Sequence, residues 1–399
     1  MQLNLIETVA FAGIVLYAGQ GIRRLIPPLA RYNIPAPVVG GLLVAISLTV
    51  ARNAGYTPLK FDTTLQSPLM IAFFASIGFA ASLSLLRLGG PQVLIFFLAS
   101  TVLAIVQNAV GVLLSYALGL PPLFGVLAGS VTLAGGPATG LAFAPLFEKA
   151  GVEGAPAIAI AAAMLGIVSG GLVGGPLGTY LIRRNGLKSQ ASTAPAVAPE
   201  ASVPSAVAGD GESGGHLLKH VVILLATLWI GNWVSQGFKS LGMTLPGYIG
   251  AMLTAAFVRN LDDRTRWLRL SGRTLEELGG VALSLFIAMA LMTLELWKLA
   301  AVALPLLLLV AVQVALILAV CLWPMYRLMG RDYDSAVMGG GLCGFMLGTT
   351  ANAVANMEAL VQKYGPAPRA FLVVPMVGAF FIDFSNALII TTFLNLFRV

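Results

Sequence analysis

Long apolar runs constrain this chain more than any other feature. A helix that crosses a bilayer needs about 20 consecutive, mostly apolar residues, and ten runs of roughly that length occur in the 399 residues. With 58% hydrophobic and only 10% charged residues, the chain has too much apolar surface for one water-soluble core. We therefore predict an all-α polytopic membrane protein. The predicted spans are 5–22, 34–51, 68–88, 93–118, 155–182, 217–238, 245–259, 278–296, 299–323 and 370–397.

Two shorter, glycine-rich apolar segments lie between the fourth and fifth span of each half, near 122–147 and 335–357. Lipid tolerates irregular backbone only where protein or a water-filled cavity surrounds it. Interrupted segments in matching positions of two halves are typical of transporters and point to a midplane binding site. We predict two re-entrant hairpins; the alternative is a pair of ordinary spans, which would make twelve helices.

The two halves repeat one another at a fixed distance. Gly129 and Gly340, and likewise Thr139 and Thr350, are 211 positions apart. Each half contains five predicted spans. Because this number is odd, the second half must have the opposite orientation in the membrane to the first. The sequence thus predicts an inverted repeat of residues 1–188 and 216–399, joined by a disordered Ala/Pro/Ser/Gly-rich linker at 189–215.

The basic residues favour one orientation. The formal charge is +7, but the Lys and Arg residues are scattered through short loops and form no face for nucleic acid. With the linker in the cytoplasm, 17 of the 23 basic residues lie inside and 6 outside. The positive-inside rule therefore predicts that both termini are periplasmic.

Candidate ligands for an anionic substrate cluster in the two hairpins. Neither hairpin core contains Lys or Arg, so backbone amides at half-helix ends are the remaining donors. Glycines let the backbone approach a ligand, and threonine hydroxyls add hydrogen bonds; the alternative is that both merely pack helices closely. The candidates are Thr132, Gly135, Gly136, Thr139, Gly348, Thr349 and Thr350.

Asp383 lies well inside the last apolar run. A carboxylate at the bilayer centre costs about 3 kcal/mol even on the lenient insertion scale, which makes it a functional hypothesis by default. We expect Asp383 to hold sodium or to neutralise a substrate ammonium. The alternative is an interhelical hydrogen bond from a protonated acid.

Three asparagines complete the candidate site. Asn352 and Asn356 are four apart and share a helical face, as do Asp383 and Asn386, three apart. Their neutral oxygens suit a hard cation, so we predict sodium ligands among Asn352, Asn356, Asp383 and Asn386. Asn352 and Asn356 are also candidates for substrate binding. As an alternative, paired asparagines cap broken helix ends.

The sequence resembles the glutamate:sodium symporter family of bacterial inner membranes over nearly its whole length. The resemblance is densest at residues 127–136, 343–350, 355–357 and 370–383. It implies sodium-coupled uptake of L-glutamate by a homodimer in the inner membrane, with an elevator-like motion of a transport domain. Glutamate carriers similar to this chain have a His where Pro137 and Leu342 stand here.

Three functions remain after this comparison. The first is sodium-coupled glutamate symport, and the second is symport of another carboxylate or amino acid. The third is a passive anion channel, which the inverted repeat disfavours. An enzyme is not predicted, because the glycine-rich stretches lack nucleotide-binding spacing. An intramembrane protease would need a nucleophile and a base or two facing aspartates, and Asp383 is the one deeply buried acid.

Overall fold

The computed structural model describes residues 2–55, 59–189, 213–240 and 245–397. This part of the chain is helical throughout, apart from one isolated bridge between Gln2 and Lys60. The predicted all-helical architecture with several membrane-spanning helices is confirmed.

The first half, as far as the structure describes it, contains eight α-helices. A π-helical stretch, Leu127–Val131, follows the sixth. The helices are α1 Leu5–Leu25, α2 Pro27–Arg31, α3 Ala36–Asn53, α4 Gln66–Ala80, α5 Leu83–Ala117, α6 Pro122–Val126, α7 Gly136–Lys149 and α8 Ala155–Arg184.

Nine α-helices lie in the described residues of the second half. It also has a 3₁₀ segment, Leu296–Val302, and π-helical stretches at Cys321–Met325 and Val377–Phe381. The helices are α9 Ser213–Ser240, α10 Tyr248–Thr265, α11 Gly272–Met292, α12 Ala303–Val320, α13 Tyr326–Leu328, α14 Tyr333–Met346, α15 Thr350–Tyr364, α16 Pro368–Met376 and α17 Ile382–Leu396.

Seven helices of the described part are long and apolar enough to cross a membrane. The other three predicted spans differ for physical reasons. Helix α4 has only 15 residues, α10 ends in a charged turn around Asp262, and the last span divides into α16 and α17 at a π-helical stretch after Pro375. Proline removes a backbone donor and so forces such a break.

Three predicted helix boundaries also differ from those in the structure. Helix α5 kinks at Gly90, where φ is +63° before Pro91. Helix α11 ends at Met292 rather than at 296. Helix α9 begins at Ser213, so residues 213–215 are helical, while residues 190–212 of the predicted linker lie outside the described residues.

The helices pack as two bundles. We call α1–α4 and α9–α11 the companion bundle, because these helices contact mainly one another. We call α5–α8 and α12–α17 the hairpin bundle, with α8 at its centre between the two hairpins. Each half contributes helices to both bundles, and the contacts between the bundles are mostly apolar, as where Phe143 of α7 meets Tyr248 of α10.

Both glycine-rich segments are broken at a turn. In the second, α14 packs along α15, and a Cβ placed on Gly341 would lie 2.8 Å from Sδ of Met357; we call this antiparallel pair hairpin 2. In the first, the turn lies at 134–135, and a Cβ on Gly140 would lie 3.0 Å from Cγ2 of Thr132 just before it. Here α6 packs mainly on α5 and α7 mainly on α8; we call α6, its π-helical extension and α7 hairpin 1.

A column of glycines on one face of α8 packs against hairpin 2. Gly166, Gly170, Gly174 and Gly178 recur every four residues and so share one helical face. A Cβ on Gly174 would overlap the amide of Asn356, and one on Gly170 would lie 3.0 Å from Cβ of Leu347. Glycine at these positions lets the backbones of α8 and hairpin 2 approach more closely than any side chain allows.

Candidate functional site

The two hairpin turns meet at a cavity of about 540 Å³ between the bundles. This volume lies in the range of about 300–1,000 Å³ that small-molecule sites occupy. The hairpin bundle contributes both turns and part of the last helix. The companion bundle contributes one face of α1, the start of α3, one residue of α4 and a stretch of α11. The residues used below are Gln20, Arg23, Ala36, Gly135, Pro137, Gly348, Thr349, Thr350, Ala351 and Asp383.

The turns of the two hairpins lie against each other. A Cβ on Gly136, whose φ is +67°, would lie 3.4 Å from the carbonyl oxygen of Gly348 and 3.5 Å from Cγ2 of Thr349. Helices α7 and α15 both begin at these turns. Their first N–H groups have no partner within the helix and carry partial positive charge, so two helix N-termini face the cavity. An anion is the ligand that such a wall favours.

Asp383 contributes a carboxyl group to the same cavity from the first turn of α17. Among the lining residues it is the acidic one, while the hairpin turns contribute glycine, threonine, alanine and proline. The cavity therefore offers both a carboxylate and helix N-termini. A zwitterion, or an anion accompanied by a cation, matches this pair of opposite charges.

The threonines have different roles. Thr349 caps α15 by accepting a hydrogen bond from the Asn352 N–H (3.4 Å), and Thr350 Oγ1 donates to the Gly378 carbonyl (3.2 Å). Both line the cavity. Thr132 Oγ1 donates to the Leu127 carbonyl (2.8 Å), and neither it nor Thr139 lines the cavity wall. These two support the turn of hairpin 1 from behind.

The asparagines tie helices together inside the hairpin bundle. Asn352 Nδ2 donates to the Ile167 carbonyl at 2.8 Å, and Asn356 Nδ2 donates to the Gly170 carbonyl at 3.0 Å. Asn386 Oδ1 accepts from Ser130 Oγ (2.7 Å), and its Nδ2 donates to the Ser130 carbonyl (3.0 Å). Asn386 thus joins α17 to hairpin 1 with both ends of its amide engaged, and none of the three lines the cavity.

Unpartnered oxygens lie next to this network. Oδ1 of Asn352 and Oε1 of Gln107 are buried without a hydrogen-bond partner, although Gln107 Nε2 donates to the Met346 carbonyl beside the turn of hairpin 2 (3.2 Å). A buried acceptor without a partner costs free energy, which a hard cation would recover. Among the described residues no cluster of three His, Cys, Asp or Glu could hold a metal, but sodium accepts neutral oxygens, and Asn352 fits that chemistry.

Arg23 is a cavity residue that sequence reasoning missed. It belongs to the last turn of α1, and from the sequence we expect it to act only as one of the orienting charges. In the structure it lines the cavity together with Gln20, three residues earlier on the same face of α1. The signal available in the sequence was this polar pair at helical spacing within an apolar helix.

The two positions where histidine was expected have different surroundings. Pro137 is buried and lines the cavity at the start of α7. Leu342 is 1% exposed and lies in the apolar core between α8, α14 and α16. Only Pro137 is placed to contact a substrate.

The described part of the chain is helical, has several helices able to cross a membrane, and brings two hairpin turns together at a cavity, which defines the class of polytopic membrane transporters. A family model described as Sodium/glutamate symporter matches residues 1–366. The chain belongs to this family, which confirms the resemblance seen in the sequence.

Individual relatives cover almost the whole chain. The sodium/glutamate symporter of Escherichia coli (strain K12) is 40% identical over 399 residues, 99% of this chain and 98% of that protein. The sodium/glutamate symporter of Haemophilus influenzae is 39% identical over 382 residues, 96% of this chain and 95% of that protein. A solved structure, the sodium proton antiporter MjNhaP1 from Methanocaldococcus jannaschii, has a TM-score of 0.45 at 12% identity and covers 99% of each chain.

Proposed function

We propose that this protein is a secondary transporter that carries L-glutamate into the cell together with sodium. The single observation that supports it most is the cavity at which both hairpin turns and Asp383 meet. Two helix N-termini suit a substrate carboxylate, and Asp383 suits its ammonium or a sodium ion. Full-length relatives named sodium/glutamate symporter support the same substrate and the same cation.

The transported sodium is assigned to oxygens of the hairpin bundle. Asn352 has the buried free acceptor, and Asp383 supplies negative charge. Asn356 and Asn386 were predicted as ligands with them, but their amides hold α8, α14 and hairpin 1 in place. We assign Asn352 to the sodium site and Asp383, on the cavity wall, to the substrate ammonium. Asn356 and Asn386 are given the task of positioning the hairpins.

An inverted repeat with an elevator motion is the proposed mechanism. Helix starts in the two halves lie at or next to the 211-residue offset: α6 begins at 122 and α14 at 333, 211 apart, while α3 begins at 36 and α10 at 248, 212 apart. The division into two bundles with an apolar contact between them suits sliding of the hairpin bundle against the companion bundle. A homodimer, in which the companion bundles meet, is proposed from the family resemblance alone.

The proposed orientation places both termini outside the inner membrane and the linker in the cytoplasm. The cavity then opens toward the cytoplasmic side, because a second cavity of about 620 Å³ shares Gln20, Arg23 and Ala36 with it and continues to Arg24 and Pro27. The structure in this orientation corresponds to an inward-facing state.

Uptake into proteoliposomes tests the proposal. Purified protein should accumulate labelled L-glutamate above the outside concentration when sodium is imposed inward, and should fail to do so when choline replaces sodium. Uptake that proceeds unchanged in choline would remove the sodium coupling. Flux that only equilibrates the substrate, with no accumulation, would support the channel alternative. A screen of other carboxylates under the same gradient tests the second candidate substrate class, which Pro137 at the cavity motivates.

A further inference from the structure

The guanidinium of Arg23 lies where the two cavities meet. Leu16, Gln20 and Arg23 form one face of α1 and line the cavity between the bundles, while Gln20 and Arg23 also line the more open cavity that leads out past α2. The neighbouring Arg24 is exposed and lines only the second of these. Arg23 is therefore the cation that a substrate in the inner cavity meets.

The Arg23 side chain is only partly satisfied by the protein. Its Nε is buried and has no hydrogen-bond partner. In the part of the chain that the structure describes, no ion pair joins Arg23 to a carboxylate, although Asp383 lines the same cavity. A guanidinium offers five N–H donors in a fork that fits a carboxylate, and a buried charged donor without a partner is costly. An anionic ligand would relieve that cost.

The charged groups of the cavity form a set of three. The helix N-termini at Gly136 and Thr350 suit one carboxylate, and Asp383 suits an ammonium group. Arg23 lies across the cavity from them, on the companion bundle, and suits a second carboxylate. A monocarboxylic amino acid would leave Arg23 unpaired, whereas a dicarboxylic one would satisfy all three.

We infer that Arg23 binds the side-chain carboxylate of the substrate and is the residue that selects a dicarboxylic amino acid over its neutral amide. The inference rests on the proposed function and adds to it a specificity determinant from outside the hairpins. A site built to pair a charged group rejects the analogue that lacks it, because the site's own charge is then left without its partner.

Sodium-dependent binding of L-glutamate and L-glutamine to the purified, full-length protein tests this inference. Arg23→Gln should weaken L-glutamate binding by about 100-fold and change L-glutamine binding only a few-fold, so that the preference for glutamate collapses. Arg23→Lys should recover part of the preference, because charge returns without the fork. Arg24→Gln is the matched control and should behave as wild type.

Charge restoration gives a second readout that does not depend on one variant folding well. Arg23→Cys treated with a methanethiosulfonate that carries an ammonium group should regain glutamate binding, and a sulfonate-bearing reagent should not restore it. The native cysteines Cys321 and Cys343 are both buried, so the reagents should react only with the introduced cysteine.

The outcomes separate the two claims. If the wild type prefers glutamate and Arg23→Gln keeps that preference, the assignment of Arg23 is overturned while the proposed function stands. If the wild type binds no L-glutamate in sodium, the proposed substrate fails, and the assignment of Arg23 to its side chain fails with it.

Discussion

Asp383 illustrates how little a single residue type says before its surroundings are known. An acid in an apolar run can serve a ligand or can hydrogen-bond a neighbouring helix. The structure places Asp383 on a cavity wall beside the start of α15, while Asn386, one turn further along α17, faces hairpin 1 and is held by Ser130. Two polar residues one helical turn apart thus lie in different surroundings.

Asp383→Asn tests the charge of this residue. The substitution keeps size and hydrogen-bonding capacity but deletes the negative charge, so we expect sodium-dependent glutamate binding to fall by about 10- to 100-fold, in line with about 1.5–3 kcal/mol for hydrogen bonds to charged groups. Isothermal titration in sodium and in choline measures the loss. Glu358→Gln, an exposed acid on α15, is the control. Full sodium-stimulated binding by a well-folded Asp383→Asn protein would return this carboxyl to a structural role.

At the scale of elements, the glycine column on α8 determines how hairpin 2 is seated. Gly174→Ala would insert a methyl group against the Asn356 amide and the Gly340 carbonyl, both on hairpin 2. Overpacking of this kind costs about 1–3 kcal/mol. The neighbouring Gly175 has open space around its Cβ position, so Gly175→Ala should be neutral or slightly stabilising. Thermal unfolding in detergent measures the midpoints of the two variants. Equal midpoints would mean that hairpin 2 shifts to accommodate the methyl group without loss of stability.

The loop between α10 and α11 is held by one carboxylate. Asp262 Oδ1 accepts from the Leu268 and Arg269 N–H groups at 2.7 and 3.0 Å, and Oδ2 accepts from the Leu270 N–H at 2.8 Å. Burial alone would raise the pKa of Asp262, but these three donors outweigh it and lower the pKa below its usual value. Because the folded pKa is depressed, the stabilisation is present above the unfolded pKa of about 3.9 and is lost as pH falls through the folded value.

Asp262→Asn should therefore cost roughly 2 kcal/mol at neutral pH and much less in acid. Unfolding midpoints of the two proteins between pH 3 and pH 7 should converge as the pH falls. Glu276→Gln, an exposed acid on α11, should leave the profile unchanged. A gap between wild type and Asp262→Asn that stays constant across this range would show that the carboxylate does not provide the stabilisation.

What the sequence could predict differs between elements and site. Glycine clusters and the 211-residue offset mark both hairpins, because broken helices need residues without bulk. Gly90 and Pro375 themselves signal the kink and the π-helical stretch that follows, but counting the length of apolar runs does not detect either. Arg23 could not be placed on the same cavity as Asp383 in advance, since α1 and α17 lie at opposite ends of the chain and line one cavity only through docking of the bundles. The spacing of Gln20 and Arg23 marks a face of α1, but it does not tell which helices that face meets.

For the whole molecule, orientation is the property that the basic residues predict and that labelling can test. Lys60 and Lys188 are exposed at opposite predicted sides. An impermeant maleimide should label Lys60→Cys in spheroplasts and Lys188→Cys only after permeabilisation. Cys321 and Cys343 are buried and should not be labelled. The reverse pattern would turn the proposed inward-facing state into an outward-facing one.

The division of the cavity between two bundles has an electrical consequence. Of the cavity-lining residues that the hairpin bundle contributes, Asp383 has the ionisable side chain, whereas Arg23 stays with the companion bundle. If the hairpin bundle slides, the charge that crosses the field is that of an ionised Asp383 together with its cargo. One elementary charge moved through 100 mV is worth about 2.3 kcal/mol. The number of sodium ions that accompany each anion therefore decides whether the membrane potential drives the loaded step, the empty return step, or both.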